Sequence, residues 1–201
     1  MANTNSPFGF SYMGPNRGGP AVTGGPIERK IAAANNTPIC KGDLVQSLST
    51  GYVAISAAGV AVSQAAGIFV GCRYLSTARG QWVYASYWPN GDHAVDGYAE
   101  IIPIVGAAPQ LFKVQATSTN FTFADIGANC DISVGSQSIA GGFGLSGMTL
   151  DRGTIGTTAT LPFRIVDMYS AVSPGAPGTD DTSNYNIVIV QSNPAGETGI
   201  N

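Results

Sequence analysis

Charge is scarce in this chain of 201 residues: Asp, Glu, Lys and Arg together make up 10%, against about 25% in an ordinary soluble domain. With 44% of the residues hydrophobic, that scarcity excludes a disordered chain held open by its own charges. It equally excludes a helical bundle, whose outward faces are coated with Glu, Lys and Arg. The nine basic residues are scattered from Arg17 to Arg164, which leaves no material for a nucleic-acid-binding patch. Long apolar runs are missing too. Residues 44–72 carry no charge, but Gln46, Ser47, Ser49, Thr50, Ser56, Ser63 and Gln64 interrupt them too often for a span of about 20 apolar residues. No membrane segment is expected.

Three cysteines, Cys40, Cys72 and Cys130, form no CxxC pair. They are expected to be buried, reduced thiols in a protein assembled in a cytoplasm. The opening MANTNSPFGF has neither a basic stretch nor an apolar one to mark it for secretion. His93 is the only histidine, so any Ser-His-Asp or Cys-His site must use it, and no GxSxG elbow accompanies it. With Asp92 and Asp96 it reads as a polar hairpin tip rather than a metal site. GFGLSG (Gly142 to Gly147) has the glycine spacing of a dinucleotide loop, but strand-like MTLD follows it where a helix N-terminus is needed. Glu28, Asp43, Glu100, Asp125 and Asp167 lie in or near strands and read as strand-edge, turn and cap groups. Asp180 and Asp181 lack the remaining spacing of a calcium loop. No catalytic, cofactor-binding or metal-ligating residue is assigned, and the chain is not expected to be an enzyme.

What the chain has in quantity is turn material, 27 Gly and 12 Pro. Between these turns lie short β-branched and aromatic runs: IERKIAAA, LVQSLS, GYVAIS, GIFVGCRYL, QWVYASYW, YAEIIPIV, LFKVQA and TLPFRIVDMY. In QWVYASYW, Trp82, Tyr84 and Ser86 alternate with Val83, Ala85 and Tyr87, the period of a strand. Asn90-Gly91 follows as a two-residue turn signal, and FADIGAN is the one short helical turn expected. The pattern predicts an all-β protein. Its β domain spans 27–169, a Pro/Gly/Asp linker 170–184, and a terminal strand and tail 185–201 that return to the domain. Ile187 to Val190 are apolar on both faces, which predicts a strand buried on both sides or paired inside a sheet.

Residues 1–26 stand apart, with six Gly, four Pro and one charge, Arg17. They cannot build a core, yet Phe8, Phe10 and Tyr12 alternate so that an extended chain aligns three rings. Two readings are open: the rings fold back on their own domain, or the segment is an arm that orders on a neighbouring subunit. The near-absence of charge and of aliphatic residues points to the arm, with Phe8, Phe10 and Tyr12 as its partner-binding residues.

KGDLVQSLSTGYVAIS (Lys41 to Ser56), AAGIFVGCRYL (Ala65 to Leu75), WVYASYWPNGD, LFKVQA and ATLPFRIVDMY occur in this order. Together they resemble the capsid decoration (head-stabilising, or cement) proteins of tailed bacteriophages, over residues 27–169. The resemblance implies a compact β-barrel or tulip, often trimeric, on the virion surface, with an N-terminal arm on the major capsid protein and no catalytic residues. The function then expected is a structural virion protein, made in the host cytoplasm, that stabilises an icosahedral shell as a homotrimer, with no nucleic-acid or membrane partner. The alternative is a carbohydrate- or receptor-binding β module of a tail fibre, using exposed members of Trp82, Tyr84, Tyr87 and Trp88. A hydrolase built on Glu100 and Asp167 is the remaining reading.

Overall fold

The computed structural model describes residues 2–15, 26–104, 109–169, 178–193 and 199. These residues form strands and short 3-10 turns, with no α-helix among them. In chain order the first seven strands are β1 (Ser11–Pro15), β2 (Ile27–Ile31), β3 (Ile39–Cys40), β4 (Leu44–Ser47), β5 (Val53–Ile55), β6 (Ala65–Leu75) and β7 (Trp82–Ala85). They are followed by β8 (Tyr87–Trp88), β9 (Gly97–Pro103), β10 (Gln110–Gln115), β11 (Asn129–Ser133), β12 (Thr149–Gly156), β13 (Phe163–Met168) and β14 (Ile187–Ser192).

The first sheet runs β1-β10-β14-β13-β11-β12 and the second β2-β9-β6-β4-β5, with β7 also paired to β6. A small β3-β8 ribbon makes a third. The protein is all-β, as its turn spacing predicts. Among the described residues both large sheets are open paths, and they do not close into the barrel that the resemblance implies.

Between them lies the larger core, where Phe112, Phe163 and Val190 of the first sheet meet Leu44, Ala65 and Ile68 of the second. A second core fills the far side of the second sheet, with Val45, Phe69, Tyr74 and Ile101 packed under Ile39 and Trp88 of the β3-β8 ribbon. The long strand β6 serves both cores by alternation, and its bulge against β9 between Phe69 and Gly71 brings Cys72 and Tyr74 onto the face of Phe69. Ile68 belongs to the larger core and Phe69, Cys72 and Tyr74 to the second, while Arg73 turns outward.

Several expectations need correction. QWVYASYW is not one strand: the chain breaks at Ser86, and Tyr87–Trp88 cross over to pair with Ile39–Cys40. The cause is Trp88, fully buried, with its indole N–H donating to the Asn35 carbonyl at 2.8 Å. Gly97 makes room for it, since a Cβ there would collide with the Trp88 ring. Asn90-Gly91 accordingly sits in a longer loop between β8 and β9, which do not pair with each other. FADIGAN does form a 3-10 turn, Phe123–Asp125, closed by a capping box of Thr122 and Asp125, but Val62–Gln64 and Ala140–Gly142 form two more. Strand β14 lies inside the first sheet between β10 and β13 as expected, yet only alternate residues, Val188, Val190 and Ser192, are fully buried.

Candidate interaction surface

The N-terminal segment comes first, because the sequence places its binding residues there. Residues 3–15 are laced to their own chain. The Asn3 amide donates to the Asp180 carbonyl at 2.7 Å, and Gln115 both accepts from the Ser6 N–H and donates to the Thr4 carbonyl. Strand β1 then pairs antiparallel with β10, with a bulge between Tyr12 and Gly14. Phe10 is 3% exposed, stacked on Phe163 at 4.4 Å and edge-on to Phe112 at 6.3 Å. Of the three rings expected on a partner, Phe10 is therefore committed to its own core, which is the fold-back reading. Phe8 stays half-buried beside the Lys113 ammonium, and Tyr12 is exposed with its hydroxyl donating to Gln110 Oε1 at 2.8 Å. Residues 16–25 of the expected arm lie outside the described residues, as do 170–177 of the linker and most of the tail.

A latch behind this segment fixes its course. The Phe10 N–H donates to the Gly42 carbonyl at 2.8 Å. At Gly9, φ is +72° and a Cβ would collide with Ser146, so only glycine lets the backbone pass. Ser146 donates its hydroxyl to Asp43, whose other carboxylate oxygen accepts the Cys40 N–H at 2.7 Å. Burial pushes the Asp43 carboxyl up to about 6, against the opposing pull of these hydrogen bonds. The sequence gives no sign that Asp43 is enclosed; it reads there as a turn residue.

Phe8, Phe10 and Tyr12 together form one wall of a groove of about 480 Å³. Its floor is Ile68, Val70 and Ile102 of the second sheet, its far wall Gly144 to Ser146, and its one charged lining residue is Lys41. The floor belongs to a single sheet face that continues past the edge of the first sheet. Lys41 and Val70 also line a second, shallower depression of about 340 Å³, with Gly71, Tyr84 and Glu100. Beyond it Lys30, Tyr98, Arg73 and Tyr84 stand side by side on β2, β9, β6 and β7, each the register partner of the next. Tyr84 is 73% exposed and Trp82 47%. Of the four candidate sugar-stacking rings, these two are open, Tyr87 is half-buried and Trp88 is core.

The remaining candidates disperse. His93 is not at an exposed tip: its ring packs on Trp88 at 4.5 Å and its Nε2 meets the Ala33 carbonyl at 2.7 Å. Asp92 accepts from Ser76, Thr77 and the Ala78 N–H, and Asp96 from Tyr52 and the Ala33 N–H. Glu28 pairs with Arg73. Burial raises the Asp125 carboxyl, but the Arg152 guanidinium and the Thr122 cap outweigh it and hold the group below the usual range. Glu100 and Asp167 stand on different sheets. Gly142–Gly147 lead from a 3-10 turn into β12. Among the described residues no three His, Cys, Asp or Glu side chains gather as a metal site, and no helix is long and apolar enough to cross a membrane. The chain matches no protein-family model, no curated protein and no solved structure.

All three cysteines are free and buried. Burial and the nearby Asp43 push the Cys40 thiol up to about 12, and burial with Glu100 does the same for Cys72. Cys130, wholly enclosed, is raised by burial as well. Neutral thiols of this kind are poor nucleophiles.

Proposed function

We propose that this chain is a structural virion protein that binds the outer surface of an icosahedral phage capsid and bridges major capsid protein subunits, acting as a homotrimer. The observation that carries this reading is the groove beside the N-terminal segment. It is apolar along its floor and carries one charge, and its wall includes the Phe8 and Tyr12 rings that the sequence marks for a partner. Among the described residues strand β1 ends its sheet with one backbone edge unpaired, so an extended, uncharged segment of a capsid subunit can gain ladder hydrogen bonds and apolar burial together. The order of the KGDLV, GIFVG, YWP, LFKVQ and LPFRIV segments supports the same reading. A single contact of this size binds modestly; a shell is strengthened because many copies act at once.

The test is decoration of purified shells by Phe8→Ala and Leu145→Asp variants. Both side chains line the groove and neither is in the core. The bound copies should fall to near zero while the unfolding midpoint stays within a few degrees. Wild-type occupancy by both variants would sink the reading.

A further inference from the structure

We propose that the outward end of the second sheet is a binding platform for neutral, hexose-based glycans, adjoining the groove that serves the shell but with its rings Trp82, Tyr84 and Tyr98 outside that groove. The platform is built by register. Arg73 lies over the Tyr98 ring with its Cζ 4.2 Å from the centroid, and 6.0 Å from that of Trp82. Its Nε and Nη2 donate to the two carboxylate oxygens of Glu28 at 3.1 and 3.2 Å, which fixes the guanidinium plane against the rings. Trp82 and Tyr98 stand 6.2 Å apart at 44°, and the Tyr84 ring projects beside them. Next to this row Gly71 contributes no side chain, and the depression it floors is bounded by the Tyr84 ring, the Glu100 carboxylate and Lys41.

A pyranose presents an apolar C–H face and a rim of hydroxyls that both donate and accept. The platform offers the complement of each: exposed ring faces for the C–H side, and carboxylate, ammonium and guanidinium groups for the rim. The charges decide the class. Arg73 is paired with Glu28, and Lys30 and Lys41 share the face with Glu100, so three cations stand among two carboxylates and a single positive charge is left over, too little to select phosphates or uronates. A protein partner is the poorer fit. Interface cores are depleted of charge, and covering this patch would strip water from five charged side chains without returning their hydrogen bonds. Sugar hydroxyls return them.

The test uses the full chain in affinity gels containing neutral glucans, mannans or galactans, with sulfated and uronic polysaccharides run alongside. At least one neutral polymer should retard the wild type. Tyr84→Ala and Trp82→Ala should each weaken that retardation by about tenfold or more, equal to about 1.4 kcal/mol. Tyr84→Phe, which keeps the ring, should bind nearly as the wild type does, and the circular dichroism of all three should be unchanged. Shell decoration by the two alanine variants should also be unchanged, so failure here and failure of the groove reading are distinguishable. The proposal is overturned if no neutral polymer retards the chain, if only acidic polymers do, or if both alanine variants bind as before. Loss of shell decoration in these variants would also overturn it and assign the face to a protein partner.

Discussion

Replacing Phe10 by alanine separates a strand built into the domain from an arm that serves a neighbour. The ring is 3% exposed and touches two other core rings, Phe163 and Phe112. Truncating such a phenylalanine costs about 3–5 kcal/mol, including the cavity it leaves, and each aromatic pair accounts for about 0.5–1.5 kcal/mol beyond its area. Tyr12, two residues on and 42% exposed, has one partly buried hydroxyl bond and a tilted contact with Phe112 at 5.7 Å. Its removal should cost about 1 kcal/mol. Because β1 is an edge strand, the Phe10→Ala loss has a ceiling, the free energy of peeling residues 2–15 off the domain; beyond it the segment detaches and the remainder unfolds as a smaller unit. Urea denaturation of Phe10→Ala and Tyr12→Ala, with amide hydrogen exchange at residues 3–15, reads both quantities. The expected result is a loss for Phe10→Ala at least twice that for Tyr12→Ala, and faster exchange throughout the segment. Equal losses, or exchange at residues 3–15 that is already unprotected in the wild type, would refute the packing argument and restore the free arm.

Two further outcomes follow from buried groups. Asp43 is raised from 3.8 to about 6, so its favourable contribution is fully present below about pH 4 and is lost as pH rises through about 6; two pKa units set an upper bound of about 3 kcal/mol. Asp43→Asn, whose amide can face Ser146 while its oxygen keeps the Cys40 N–H, should flatten this part of the pH profile in paired denaturation curves at pH 4.5 and 7.5, and an unchanged pH difference would refute the assignment. Native protein should leave Cys40, Cys72 and Cys130 unreactive toward a thiol reagent at pH 8, and denatured protein should yield all three; early modification of any one would contradict its enclosure.

The strands were legible where their signal is local. GIFVGCRYL, QLFKVQ and FRIVDM announce β6, β10 and β13 through β-branched residues between turn clusters, and the low charge with many glycines ruled out helices. The capped turn at Thr122–Asp125 was legible for the same reason, since cap and carboxylate are three residues apart. What the sequence could not determine is pairing across distance. Whether Phe10 lies on its own Phe163 or on another subunit depends on contacts 153 residues apart in the chain, and alternation is identical in both cases. Period-2 alternation likewise told Trp82 and Tyr84 from Val83 and Ala85 but not which set faces water. That was decided by both cores: Val83 and Ala85 pack on the second, while the first sheet covers Ile68 and Ile102 and stops short of Arg73. Asp43 became a buried carboxylate because Gly9 and Ser146 close over its turn from two distant segments. Sequence thus set the local backbone preferences and the apolar periods, while the stacking of two open sheets of unequal reach decided which aromatic residues became core and which remained available as surface.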